Sequence, residues 1–158
     1  MKKSLLIVGL VVVGALALVR WKMGGGGGVS EPGLVFDRIW IDQVPSKPTD
    51  TANGFAAITR QPLGIFQAAS QYKGSYEIFT YKATGDQLRI VYPQTDDKEK
   101  VKVRAWSCKE RDMDYCLELS GSNRGVKRYH SRRGWEIDKA TRPEQMLHRM
   151  ESIVRPAN

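Results

Sequence analysis

A basic stretch between Arg124 and Arg133 carries the clearest chemical signal in this 158-residue chain. Five permanently charged side chains fall within ten positions, namely Arg124, Lys127, Arg128, Arg132 and Arg133. Arginine and lysine bind phosphate and carboxylate groups through charge-assisted hydrogen bonds. The spacing therefore predicts a surface that binds phosphate, lipid headgroups or an acidic polymer. The alternative interpretation is a charged outer face that only keeps the protein soluble.

The two cysteines, Cys108 and Cys116, are the next candidates for chemistry. An even number of cysteines in a chain with an export segment is typical of a disulfide. Their separation of eight residues suits neighbouring strands joined by a short loop, and closing that loop should contribute about 2–3 kcal/mol. A redox or metal-binding pair is the alternative, but the spacing matches neither a C-x-x-C redox motif nor a zinc knuckle. We therefore expect a structural disulfide and no metal site.

The other titratable residues do not form a recognisable catalytic motif. The histidines, His130 and His148, have no nucleophile motif near them, and each is interpreted as a lone surface side chain. Acidic residues cluster at Asp96–Asp97 and at Glu110–Asp114, but both clusters fall in predicted turns and lack the spacing of an EF-hand. The sequence therefore predicts a protein that is not an enzyme and needs no cofactor.

The N-terminal segment indicates the compartment in which these residues work. Residues 5–19 carry no polar side chain, with Lys2 and Lys3 before them and Arg20-Trp21-Lys22 after them. This pattern predicts that residues 1–23 are an uncleaved membrane anchor, which contacts the bilayer through residues 4–21. The alternative is a signal peptide cleaved near Ala17, which would leave a secreted or periplasmic protein.

An anchor with so short an N-terminal tail places the rest of the chain across the membrane. We expect a single-pass protein of the inner (cytoplasmic) membrane, with residues 24–33 as a glycine-rich linker and residues 34–158 as a domain in the periplasm or outside. Four of the 25 Lys/Arg lie in residues 1–23, so 21 basic residues face 17 acidic ones in the remainder, a formal charge of +4. That mild charge and the exported location argue against nucleic acid as a partner.

The exported domain has the pattern of a mainly β protein. From residue 34 onward, short segments alternate apolar and polar side chains between glycine-bearing turns. The predicted strands are 34–41, 54–60, 65–72, 75–82, 87–92, 100–108, 115–120 and 126–131, with a ninth beginning at 135. Because barrel closure removes exposed strand edges, we expect an antiparallel meander that closes into an eight- or nine-stranded barrel.

The C-terminal tail changes to the periodicity of a helix. Apolar residues recur on one helical face from Met146 to Val154, behind a Thr141-x-x-Glu144 sequence typical of a capping box. The pattern predicts an amphipathic helix packed on the barrel. A helix that binds a partner or a membrane surface is the alternative.

An export segment, about eight meander strands and a helix after most of them resemble, in outline, the calycin (lipocalin-like) group of β-barrel proteins. The resemblance covers about residues 34–154, and Asp37-Arg-Ile-Trp40 has the tryptophan of the lipocalin first strand without the glycine of its signature. Such a barrel implies a small apolar ligand in its interior. The aromatic residues that would line the cavity are Phe36, Trp40, Phe55, Phe66, Tyr76, Phe79, Tyr81 and Trp106.

Two functional hypotheses follow from these patterns. The first is a membrane-tethered, non-enzymatic envelope domain that binds a protein partner or an anionic envelope component. The second is a lipocalin-like carrier of a small apolar ligand. The two differ in where function lies, because a carrier needs a cavity of several hundred Å³ inside the barrel whereas a tethered binding domain uses its outer surface.

Overall fold

The computed structural model describes residues 28–155 and shows a mainly β domain with a single C-terminal α-helix. A short 3-10 helix at Pro32–Val35 precedes the strands. The strands are β1 (Ile39–Ile41), β2 (Ala52–Ile58), β3 (Leu63–Ala69), β4 (Gly74–Thr84), β5 (Gln87–Tyr92), β6 (Asp97–Glu110), β7 (Met113–Ser120) and β8 (Arg128–Ser131). Helix α1 spans Pro143–Val154.

The eight strands form one closed antiparallel barrel in which each strand pairs with its neighbours in sequence. Closure is made by β1 and β8, where Ile41 lies opposite His130. The predicted meander and its closure are therefore confirmed. The segment 65–72, whose glutamines and alanines also suit a short helix, contributes to β3 and is extended over Leu63–Ala69.

The main core consists of side chains that point into the barrel. Successive residues of a strand face opposite sides, so alternate residues of each strand point into the barrel. On β5 the buried residues are Leu88, Ile90 and Tyr92. Phe55, Phe66 and Phe79 pack together at the centre, with ring centroids 5.2–6.0 Å apart. Aromatic pairs in such contact contribute about 0.5–1.5 kcal/mol each beyond the area that they bury.

A second apolar core lies outside the barrel, beneath α1. The strands β1, β2 and β3 are apolar on their outer face as well, through Ile39, Ile41, Ala52, Ala56, Ile58, Ile65 and Ala69. Helix α1 covers this face with Met146, Met150 and Val154, all of which are buried. The predicted packing of the amphipathic helix on the barrel is confirmed.

Two strand predictions at the start and end of the barrel require correction. The predicted strand 34–41 begins only at Ile39, because Asp37 has a φ of 53° and turns the chain. The Asp37 carboxylate holds this turn by accepting hydrogen bonds from the backbone N–H and the hydroxyl of Thr59, at 2.9 and 2.6 Å. The predicted ninth strand is reduced to a single bridge between Arg38 and Glu136.

The start of α1 also differs from the predicted capping box. The helix N-cap is Arg142, one residue after Thr141, and Pro143 occupies the first turn. The Gln145 side-chain oxygen accepts a hydrogen bond from the Arg142 backbone N–H at 3.0 Å. The capping box predicted at Thr141 and Glu144 was therefore wrong by one position, because the helix is capped by Arg142 and Gln145.

The predicted disulfide is present between the end of β6 and β7. The sulfur atoms of Cys108 and Cys116 are 2.04 Å apart and their Cα atoms 5.8 Å apart. A register shift between Ser107 and Glu110 accommodates Cys108, and Arg111 and Asp112 form the hairpin turn with φ values of 53° and 59°. The cross-link thus closes the hairpin that joins β6 to β7.

The predicted membrane anchor at residues 1–23 lies outside the described residues. Between Gly28 and Arg155, no helix combines the length and the apolar character that crossing a bilayer requires. The anchor therefore stays a prediction from the sequence.

Replacing Met150 with alanine should destabilise the domain. Met150 is fully buried, and its Cε atom lies where any side chain at Gly54 would have to go. Because truncation leaves a cavity between α1 and β2, we expect a loss of about 2–5 kcal/mol in the free energy of unfolding. Urea unfolding measures this free energy. As a control, His148→Ala changes an exposed residue of the same helix and should alter the free energy of unfolding by less than about 0.5 kcal/mol. Equal losses in the two variants would contradict the assignment of α1 as a core helix.

Candidate anion-binding surface

Arg124, the first residue of the predicted basic stretch, is bound to acidic side chains at one end of the barrel. Its guanidinium donates to Asp97 at 2.7 Å and to Glu77 at 3.2 Å, and lies 4.1 Å above the ring of Tyr92. These contacts raise the pKa of Arg124, chiefly through the hydrogen bond to Glu77 and then that to Asp97. Arg124 is therefore a structural clamp whose charge is already paired.

The loop that carries Arg124 covers this end of the barrel. Gly125 has a φ of 65°, and a side chain at this position would collide with the Tyr129 hydroxyl and the ring of Phe66. Glu99 fastens the same loop by accepting hydrogen bonds from the Ser122 hydroxyl at 3.0 Å and the Asn123 N–H at 2.9 Å. The 3-10 helix lies at the opposite end, where Val35 enters the core.

The other four predicted cations lie on different parts of the wall. Lys127 pairs with Glu118 at 3.4 Å. Arg128 donates to both oxygens of Glu110, at 2.7 and 2.8 Å. Arg132 stacks on Trp135 at 5.0 Å, and the backbone N–H of Arg133 donates to Asp114. The five residues therefore contact separate partners and do not converge on one unpaired surface.

A different set of cations forms a continuous outer surface, which we call the basic face. It consists of outward-pointing residues on three adjacent strands: Lys82 on β4, Arg89 on β5, and Lys98, Lys100, Lys102 and Arg104 on β6. All six are exposed, whereas Val101, Val103 and Ala105 between them are buried in the barrel. The alternation on β6 is visible in the sequence, where it predicts a strand, but the alignment of its outer cations with Lys82 and Arg89 follows only from the register of the sheet.

The centre of the basic face is a row of like charges in direct register. Lys82 lies opposite Arg89, and Arg89 lies opposite Lys100. Side chains opposite each other on neighbouring strands have Cβ atoms about 4.5–5.5 Å apart, and like charges in this position destabilise a sheet. Within residues 28–155 the ion pair on this face joins Lys102 to Asp86 at 3.3 Å, and the row itself has no carboxylate partner. Fold stability does not explain this arrangement.

The described chain enters the barrel beside the basic face. The Arg104 guanidinium donates to the Gly28 carbonyl at 3.3 Å, and the Glu31 N–H donates to the Ala105 carbonyl at 2.7 Å. Trp106 lies under this segment, between the guanidinium groups of Arg104 and Arg128 at 4.7 and 4.8 Å. Gly28 therefore lies beside Arg104, the last of the four cations of the basic face on β6.

The aromatic residues predicted to line a ligand cavity occupy three environments. Five belong to the barrel core and one packs partly against it: Trp40, Phe55, Phe66, Phe79 and Tyr81, with Phe36. Tyr76 is exposed, and Trp106 lies on the outer wall. A cleft of about 390 Å³ lies at the barrel end covered by Arg124, lined in part by Asn53, Ser75 and Gln94. Phe66, a core residue, is among its lining residues, so the cleft adjoins the packed interior.

The hydroxyl groups of the interior tyrosines are satisfied by the protein. The Tyr81 hydroxyl donates to the Ile58 carbonyl at 2.9 Å, the Tyr129 hydroxyl accepts from the Val126 N–H, and the Tyr92 hydroxyl donates to Glu99. Burial raises the pKa of Tyr81 to about 12, with a smaller contribution from Asp37. Burial likewise raises the pKa of Tyr92 and Tyr129. These groups stay neutral near neutral pH and anchor the core.

His130 was interpreted from the sequence as a surface residue, and this was wrong. Its side chain is buried on the outer wall, and its Nε2 atom lies 3.4 Å from Glu110 Oε2. Burial acts to raise the pKa of Glu110, but the hydrogen bond from Arg128 and the neighbouring charges outweigh it and lower the pKa. The sequence could not show this, because the contact joins the β6 and β8 ends across β7.

Comparisons with protein-family models, with curated proteins and with solved structures found no match to this chain. The geometry of the site itself is therefore the basis for its function.

The Arg124 clamp should weaken in acid. Arg124, followed by Thr95, holds the pKa of Asp97 below its usual value of 3.8. The charged form of Asp97 therefore stabilises the fold above pH 3.8, and that contribution is lost as the pH falls through the lower pKa of the folded protein. We expect the difference in unfolding free energy between wild type and Arg124→Gln to narrow as the pH falls below 3.8. Arg89→Gln removes an unpaired arginine and should show no such narrowing; a constant difference for Arg124→Gln would argue against the clamp.

Proposed function

We propose that this protein is a membrane-tethered, non-enzymatic envelope domain whose basic face binds the anionic lipid headgroups of its own membrane. The observation that carries the proposal is the unpaired row Lys82–Arg89–Lys100, extended along β6 by Lys98, Lys102 and Arg104. Stacking like charges in cross-strand register costs stability, and an anionic partner would offset that cost.

The strength and the range of the expected attraction suit a surface that lies close to a membrane. Each lysine or arginine near an anionic leaflet contributes about 1 kcal/mol, and the attraction falls off within a Debye length of about 8 Å at physiological ionic strength. A free domain with such a surface would therefore bind the membrane only weakly. A tether that joins the domain at the edge of the basic face would raise the effective concentration of headgroups, so that weak contacts would be sufficient. The position of Gly28 beside Arg104 supports this geometry.

The composition of the basic face favours headgroups over a protein partner. Protein interfaces concentrate their binding energy in buried aromatic or aliphatic anchors. The large apolar side chains that the described domain exposes are Val29, Val44, Tyr72 and Tyr76, and none of them lies on β5 or β6, which carry five of the six cations. Val29 follows Gly28, whose carbonyl accepts from Arg104, so it lies at the edge of the basic face. The basic face is instead a β-sheet surface of long, flexible, charged side chains, which suits a fluid anionic partner.

A lipocalin-like carrier remains the second candidate function. It is supported by the closed eight-stranded up-and-down barrel with a helix after it. The interior aromatic rings pack against each other, so a ligand would enter from the cleft beneath Arg124. A carrier would therefore require the Arg124 loop to open, and its ligand would contact Phe66 first.

The headgroup proposal can be tested on the full-length chain in vesicles by measuring amine acylation of individual lysines. In vesicles that contain phosphatidylglycerol, Lys82, Lys98 and Lys100 should react several-fold more slowly than in vesicles of phosphatidylcholine alone, because headgroups cover them. Salt at about 1 M, where the Debye length is about 3 Å, should restore their reactivity. Lys47 and Lys139 are exposed lysines on loops elsewhere and provide internal controls whose rates should not change.

A charge-reversal pair separates the proposed contact from general electrostatics. Arg89→Glu with Lys100→Glu should abolish the protection of Lys82 and Lys98, whereas Lys47→Glu with Lys139→Glu has the same net charge change and should leave it intact. Equal protection in both double variants, or none in the wild type, would overturn the proposal. Protection of residues at the barrel end by an added apolar compound would instead support the carrier.

A further inference from the structure

A group of metal-binding side chain types converges where β6, β7 and β8 meet. A carboxylate oxygen of Glu110, the Sγ atom of Cys116 and a ring nitrogen of His130 all lie within 4.8 Å of one another. The β-ladder places Cys116 directly opposite His130, and the disulfide adds the sulfur of Cys108 at 2.04 Å from that of Cys116. Two sulfurs, one imidazole and one carboxylate are the donor types of tetrahedral Zn²⁺ sites.

The burial of His130 is a second, independent observation that points to a ligand at this cluster. The residue is 4% exposed. Its Nε2 atom faces Glu110 at 3.4 Å, while Nδ1 has no hydrogen-bond partner within the described chain. Histidine is seldom buried without both nitrogens being used, so packing alone does not account for its place beside a carboxylate and a disulfide.

The cluster already attracts a cation in the oxidised protein. The Arg128 Nη2 atom donates to both Glu110 oxygens, at 2.7 and 2.8 Å, and lies 3.8 Å from the Cys116 sulfur. The Arg128 side chain is 41% exposed, so it has room to turn outward and release Glu110. A divalent ion that enters the cluster would take over the position of this guanidinium.

We propose that reduction of the Cys108–Cys116 disulfide converts this cluster into a Zn²⁺ site formed by Cys108, Cys116, Glu110 and His130. A dithiol reductant supplies two electrons and two protons: the Cys108–Cys116 S–S bond breaks, two thiols form, and the reductant becomes a disulfide. Zn²⁺ then binds both sulfurs as thiolates, and both thiol protons leave to solvent. His130 contributes a ring nitrogen, and the Glu110 carboxylate completes the set.

The proposed site makes the domain responsive to redox state without loss of the cross-link. In the disulfide neither sulfur is a thiolate, and the thiolate is the metal ligand, so the oxidised protein should bind zinc poorly. In the reduced protein the metal would join the same two strands that the disulfide joined. The β6–β7 hairpin would thus remain closed in both states.

The experiment uses the full-length chain in detergent, with Co²⁺ as the spectroscopic probe and Zn²⁺ as the competitor. Protein reduced by a dithiol, then freed of reductant under anaerobic conditions, should develop thiolate-to-cobalt charge-transfer bands and the visible bands of tetrahedral Co²⁺. Zn²⁺ should abolish these bands and release protons. The oxidised protein should show neither response. Equal binding in the two redox states would overturn the proposal.

Variants distinguish the four-ligand site from simple binding by a thiol pair. His130→Ala and Glu110→Gln should each weaken Co²⁺ binding at least about tenfold and change the visible spectrum, whereas the matched control His148→Ala should do neither. Arg128→Ala should tighten binding, because it removes the competing cation. Unchanged affinity in Glu110→Gln, which alters an exposed side chain and should fold, would show that the cysteines act alone and would overturn the assignment even if His130→Ala failed to fold.

Discussion

The seam between β1 and β8 is the constraint on which the barrel depends. Its backbone ladder consists of one register pair, Ile41 opposite His130. Side chains add what the short ladder lacks: the buried Ser131 hydroxyl donates to the Ile39 carbonyl at 2.7 Å, and the buried Arg38 guanidinium donates to the Arg132 carbonyl and to Glu136. Because β1 is only three residues long, closure rests on these polar contacts and on the apolar residues on either side of them. The cluster around His130 lies directly against this seam.

The barrel wall has two kinds of outer face, and each follows from residue types at alternate positions. On β1 to β3 both sets of alternate residues are apolar, so the outer set must be covered, and α1 covers it. Where β4, β5 and β6 carry the basic face, the outer positions hold six exposed cations, so that side stays in contact with solvent. The same strand geometry thus produces a helix-binding face and a charged face around one interior core, and the distinction explains why a single helix suffices.

The sequence predicted the architecture well because its main signals are local. Alternation located most strands, the spacing of Cys108 and Cys116 predicted their bond, and the stripe from Met146 to Val154 predicted a packed helix.

The errors in the predictions arose where residues far apart in the sequence decide the structure. Asp37 turns the chain by binding Thr59, and His130 is buried because Glu110 and Cys116 reach it from other strands. Arg124 looked like a free cation in sequence because Glu77 and Asp97 are far away along the chain. The basic face needed the register between β4, β5 and β6, which alternation alone does not provide.

The outward positions of β4 to β6 also bear on how this protein can change over time. Lys82, Arg89, Lys98 and Lys100 support no core contact and no ion pair within the described domain, while the residues between them carry the packing. Substitutions at the outward set therefore alter the surface with little effect on folding, and substitutions at the inward set do the reverse. Such separation lets the affinity of this surface drift, strengthen or change sign while the barrel beneath it is preserved. Related chains could keep the same strands and yet differ completely in what they contact.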